Sequence, residues 1–122
     1  MTKNLLRQFG DELLHIFGLR NGKPMLATNF RDFGPSFGVY DYEDFVIMAR
    51  QFFQEGISAK DSFYTVIDLP DNRVGIDYNG EKRGIYKKNG EPIAFFRPDF
   101  QRRGFTSKSE ELAAWRRTSE AA

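Results

Sequence analysis

One histidine and no cysteine leave this chain a narrow range of chemistry. Thiolate nucleophiles, disulfides and zinc–thiolate centres all need a residue type that is absent. His15 is the only side chain that titrates near neutrality unaided. A general base needs a cleft and an orienting partner. His15 lies between Leu14 and Ile16 in a helix-like stretch, a setting that fits a structural histidine better than a catalytic one. Asp77 is the second candidate base. Asp41, Glu43 and Asp44 cluster where a helix should begin, and capping with the helix dipole accounts for them. Asp68, Asp71 and Asp77 flank a turn, at a spacing that matches no metal loop. Neither a G-x-x-x-x-G-K phosphate loop nor a G-x-S-x-G elbow occurs. The expectation is a protein with no metal and no cofactor.

The second chemical feature is a cationic block. Residues 1–81 hold 8 Lys/Arg against 12 Asp/Glu, a balance of −4, whereas residues 82–117 hold 10 against 4, a balance of +6. Within that block Lys87, Lys88, Arg97, Arg102, Arg103 and Lys108 are interleaved with Tyr86, Phe95, Phe96, Phe100 and Phe105. Cations beside aromatic rings suit single-stranded RNA, which is held by phosphate pairing and base stacking. The same block fits an acidic protein surface, or a solvated face with its Phe residues turned into a core. Arg102 and Arg103 precede a helix start near Ser107, whose backbone donors suit phosphate.

These residues need elements to hold them. The chain has 122 residues, 40% hydrophobic and 29% charged, enough for one globular domain without staples. No apolar run reaches the ~20 residues of a membrane span, so no membrane partner is expected. Leu5, Leu6, Phe9, Leu13, Leu14 and Phe17 predict a helix over 3–17, closed by Gly18. Asn21-Gly22 and Pro24 mark a turn, Met25 to Phe30 reads as a short extended segment, and 31–40 as a loop that tucks in Phe33 and Phe37.

Tyr42, Phe45, Val46, Ala49, Phe52 and Phe53 make the stripe of a helix over 42–54, with Asp41 as its cap and Gly56 as its end. The period then changes to two. Strands are expected over 62–68, 73–78, 82–87 and 92–97, joined by a Pro70-Asp71-Asn72 turn, Asn79-Gly80 and Asn89-Gly90. Ser107 with Glu110 opens a helix over 108–117 that packs through Leu112 and Trp115. The fold class is α+β: helices, an antiparallel β-meander of about four strands and a short C-terminal helix. The 42–54 helix covers one sheet face and the other face is left open. Residues 1–28 read as an N-terminal extension, 29–117 as the single domain and 118–122 as a frayed tail.

The stretches FRDFGPSFGVYDYEDFVIMARQFF and NGEPIAFFRPD resemble the barnase/colicin/RelE-like ribonuclease toxin superfamily, as found in polymorphic-toxin and phage head-protein C-terminal domains. The likeness spans about residues 29–106. It rests on the amphipathic helix, the meander, and the ending Phe96-Arg97-Pro98-Asp99 after Asn89-Gly90. The resemblance implies a small cytoplasmic or virion-associated protein of a phage or mobile element. Where that family's entry segment offers histidine this chain has Phe30 and Phe33; Asp77 replaces an Arg before Tyr78, and Ala94 stands where Thr or Ser is usual.

Metal-independent RNA cleavage needs a base, an acid and a cation. The implied function is therefore a binding module with an eroded active site, taking RNA or a protein. Two alternatives stay open. One is an active endoribonuclease using His15 or Asp77 as base, with Lys87, Arg97 or Arg103 as phosphate clamps. The other is a virion or assembly subunit whose 13 Phe serve oligomer contacts.

Overall fold

The computed structural model describes residues 13–118. The fold is α+β, as the change of period predicts. Residues 13–17 are helical and are called the entry helix; the rest of the stretch expected over 3–17 lies outside the described residues, as do residues 119–122 of the tail. A hairpin follows, β1 (Leu19–Arg20) with β2 (Lys23–Pro24) around Asn21-Gly22. Helix α1 (Leu26–Phe33), a 3-10 turn (Pro35–Phe37) and helix α2 (Tyr42–Ser58) come next. The sheet is an antiparallel meander in the order β3 (Tyr64–Leu69), β4 (Arg73–Tyr78), β5 (Lys82–Lys87), β6 (Pro92–Phe96). Helix α3 (Lys108–Arg116) closes the fold.

Helix α2 starts as its sequence dictates: Asp41 Oδ1 accepts the Glu43 N–H at 2.8 Å. It continues past the expected end because Gly56 serves packing. A Cβ there would sit 2.5 Å from Ile76 Cγ2, so the bare backbone lets the helix close on the sheet. Phe45, Ala49, Phe52 and Phe53 bury against Val74, Ile76, Tyr86 and Phe95 on one sheet face. The Tyr86 hydroxyl donates to the Ala49 carbonyl at 2.6 Å, so this apolar layer keeps no unpaired tyrosine oxygen.

Two expectations are corrected. Met25 to Phe30 is not extended, and residues 31–33 do not belong to a loop: 26–33 form α1. Leu26, Phe30 and Phe33 share one helical face, at a spacing of four and then three. That face covers the free edge of β6, where the Phe95 N–H donates to Asn29 Oδ1 at 3.1 Å. An edge strand is thereby protected by a helix. Phe33 and Phe37 do tuck against the core.

The second correction concerns the open face. The side of the sheet away from α2 is covered by α3, the entry helix and the Gly18 and Met25 ends of the first hairpin, with Met25, Leu69, Ile85, Ala94, Phe96, Leu112 and Trp115 as its core. Gly18, at φ +70°, lies so close to Ile93, Ile85 and Ala94 that a Cβ would clash. Leu14, His15, Gly18 and Met25, read as part of an extension, thus pack on the sheet.

Candidate functional site

The covered second face carries charge. Asp77 and Arg83 stand directly opposite each other on β4 and β5, and both side chains are fully buried. Arg83 Nε donates to Asp77 Oδ2 at 2.9 Å. Its two terminal nitrogens form a fork on Glu111 of α3, both bonds at 2.7 Å. Arg103, from the loop before α3, bonds the same Glu111 carboxylate with a side chain only 4% exposed. The Arg83 guanidinium lies 4.2 Å from the Trp115 ring centroid. The Trp115 indole N–H donates to the His15 carbonyl at 2.8 Å. Finally, Arg83 Nη1 reaches His15 Nδ1 at 2.8 Å. Arginine only donates, so Nδ1 must be the acceptor and the imidazole proton sits on Nε2.

Among the described residues two guanidiniums and two carboxylates meet the imidazole, and the Arg83 N–H on Nδ1 calls for its neutral form. The electrostatics agree. Burial pushes His15 well below its ordinary value of 6.5, and the charges of Arg83 and Arg103 push the same way. Burial raises Asp77, against the opposing effects of Arg83 and the Gly80 N–H. Burial also acts to raise Glu111, but hydrogen bonds and charge from Arg83 and Arg103 outweigh it and hold the carboxyl below its usual range.

Of the sequence candidates, His15, Asp77 and Arg103 therefore converge, but in an enclosed, neutralised cluster. Arg103 is corrected as a surface clamp: its charge is taken up by Glu111. The other cations do not form one patch. Lys87 pairs with Glu91 at 3.2 Å and Lys88 with Asp68 at 2.5 Å. Both sit at one end of β5, while Arg97 follows β6 at the opposite end, about 17–20 Å away by strand rise.

At that opposite end Arg97 is fixed. Its Nε donates to Ser36 Oγ at 3.1 Å, its Nη2 to the Ser36 carbonyl at 3.2 Å, and its guanidinium lies 4.4 Å from the Phe37 ring centroid. It lines a groove of about 410 Å³ with Phe33, Gly80, Glu81, Pro98, Asp99, Phe100 and Lys108. Lys108 pairs with Glu81 across 3.6 Å, both half-exposed. A second hollow shares Phe100 and Lys108 and runs on to Ser107. Arg102 is exposed nearby, its backbone N–H on Asp99 Oδ1.

The start of α3 is a poorer phosphate seat than the sequence implies. Ser107 Oγ accepts the Glu110 N–H, and the Glu110 carboxylate turns back onto Thr106. A larger hollow lies between the outer face of α2 and Asn89–Glu91, and none of the candidate residues lines it.

Arg83 and Glu111 were not among the sequence candidates. The hairpin register placing Arg83 beside Asp77 is a readable signal. Glu111 carries none beyond its place on the α3 face that also holds Leu112 and Trp115. Among the described residues no helix is long and apolar enough to cross a membrane, and no three His, Asp or Glu side chains are placed to hold a metal ion. No protein-family model matches the chain, and neither the curated proteins nor the solved structures provide a match.

Proposed function

We propose that the chain is a binding module on a ribonuclease-toxin-like scaffold with an eroded active site, taking single-stranded RNA across the sheet end that holds Arg97 and Lys108. One observation carries the reading. The candidate bases His15 and Asp77 are closed with Glu111 into a buried, ion-paired cluster, while Arg97 and Lys108 line an open groove beside Phe33, Pro98 and Phe100, with Glu81 and Asp99 also on its wall. A pre-positioned guanidinium next to aromatic and proline surface can pair a phosphate and seat a base.

Titration of a labelled single-stranded RNA at two salt concentrations tests it. The Arg97→Ala/Lys108→Ala protein should bind more weakly. Its salt slope should be flatter by about 0.7 per lost phosphate contact. Lys87→Ala/Lys88→Ala, at the far end of the sheet, should bind as wild type. Equal losses from both pairs would replace the groove with diffuse attraction. No binding at low salt would turn the reading toward an acidic protein partner.

A second reading, endoribonuclease activity, draws on the convergence of His15, Asp77 and Arg103. Incubation with total RNA followed by fragment mapping decides it, with cleavage lost in His15→Gln as the required result.

A further inference from the structure

The chain's lone histidine is built into the joint that fastens the entry helix to the sheet and to α3. Five elements meet there. The entry helix brings His15; β5 brings Arg83; β4 brings Asp77, which reaches the site through Arg83; and α3 with its preceding loop brings Glu111, Arg103 and Trp115. Phe96 of β6 meets the imidazole edge-on, with centroids 5.0 Å apart. The described charges facing His15 are thus two guanidiniums and two carboxylates, already matched. His15 is 3% exposed, so no solvent shell stands ready for an added charge.

From this geometry we propose that the joint is an acid-sensitive clasp: protonating His15 releases the entry helix, up to Gly18, from the sheet and α3, while the sheet stays folded on α2. A proton on Nδ1 would face the Arg83 N–H that it now accepts. The hydrogen bond would become an opposition of two donors, and the imidazolium would stand against the charges of Arg83 and Arg103. Releasing residues 13–17 returns the imidazole to water. Release also costs the indole bond from Trp115 to the His15 carbonyl, so the joint opens as a unit. The layer of Phe45, Phe52 and Phe95 on the other sheet face contains none of these groups. The proposal stands independently of what the groove binds.

The direction with pH follows from linkage. Released His15 takes its proton near the ordinary value of 6.5, and clasped His15 holds one only at lower pH. The clasp is therefore at full strength above about 6.5 and is lost as pH falls below it. For one proton, the ratio of released to clasped molecules rises about tenfold per pH unit until the lowered value is reached.

Two unique probes report on it, since Trp115 and His15 are each the only residue of their type. Tryptophan emission, the His15 imidazole resonances and far-UV circular dichroism would be followed from pH 8 to 5. Emission should shift to the red below pH 6.5, together with the imidazole titration, while the dichroism loses no more than one short helix contributes. In His15→Gln, whose amide oxygen can still accept from Arg83, the shift should vanish. The same profile in that variant overturns the proposal, as does flat wild-type emission to pH 5. Loss of the whole folded dichroism in step with emission would mean global unfolding and overturns it too. Should the variant not fold, separate midpoints for Trp115 and His15 in the wild type are enough to reject it.

Discussion

The two faces of the sheet are made by the same strands from alternate residues, yet they solve burial in opposite ways. Toward α2, Val74, Ile76, Tyr86 and Phe95 meet Phe45, Ala49, Phe52 and Phe53, and the layer is apolar. Toward α3, Asp77 and Arg83 are buried as completely as any leucine and are matched by Glu111, Arg103 and His15. An apolar layer accepts any partner of suitable volume. A buried charge accepts only one that completes its bonds. The α2 face therefore supplies adhesion, and the α3 face supplies a lock that fits one docking of the C-terminal helix.

The sharpest way to break this comparison is Arg83→Met. Removing one partner of a buried pair costs about 3–5 kcal/mol. Here Asp77 loses its cation and Glu111 keeps only Arg103, so the expected loss lies within that range, read as a fall in the denaturant midpoint. Replacing Asp77, Arg83, Arg103 and Glu111 together by apolar residues of similar volume should restore stability or exceed wild type by about 1–4 kcal/mol. If the fourfold variant is as unstable as the single one, the cluster supplies stability and is no lock.

On the other face the expectation runs differently. Phe45→Ala should cost about 3–5 kcal/mol through lost burial and the cavity left behind, because Phe45 is fully buried and touches the rings of Phe30, Phe37 and Phe95. A second truncation, Phe52→Ala, should deepen the loss, since nothing on this face can be rebalanced as charges can. A loss below about 1 kcal/mol for Phe45→Ala would show that the layer collapses onto the gap.

The contrast between faces also explains what the sequence tells. Helix α2 and strands β4, β5 and β6 are legible because each announces itself locally, by a stripe of three- and four-residue spacing or by a short strand-like run bounded by Asn-Gly. The α3 face is illegible for a physical reason. Arg73, Gly75 and Asp77 alternate against Val74, Ile76 and Tyr78 as a solvent-facing polar row would, and pattern cannot separate a polar row in water from one paired inside. The answer lay in Glu111, 28 residues beyond Arg83. Helix α1 is different: Leu26, Phe30 and Phe33 carry a helical period, but the segment is short and opens without a side-chain cap. What fixes it is Asn29 on the β6 edge, a contact 66 residues away in the chain.

The smallest expected effect tests whether burial, and not ion pairing itself, separates the regions. Lys88 and Asp68 pair at 2.5 Å, closer than the 2.7–2.9 Å of the buried Arg83 contacts. By distance alone this would be the stronger pair. Yet the lysine side chain is 44% exposed and the aspartate 81%. Water screens such a pair, and holding a lysine in one conformation costs entropy, so exposed pairs are worth about 0–1 kcal/mol. Lys88→Ala should thus shift the unfolding midpoint by no more than that, and added salt should erase the difference. A loss of several kcal/mol surviving in high salt would place a rigid, desolvated pair at the end of β5 remote from the groove. The distinction between an adhesive face and a locking face would then no longer follow burial, and the ends of the sheet would have to be counted with its α3 face.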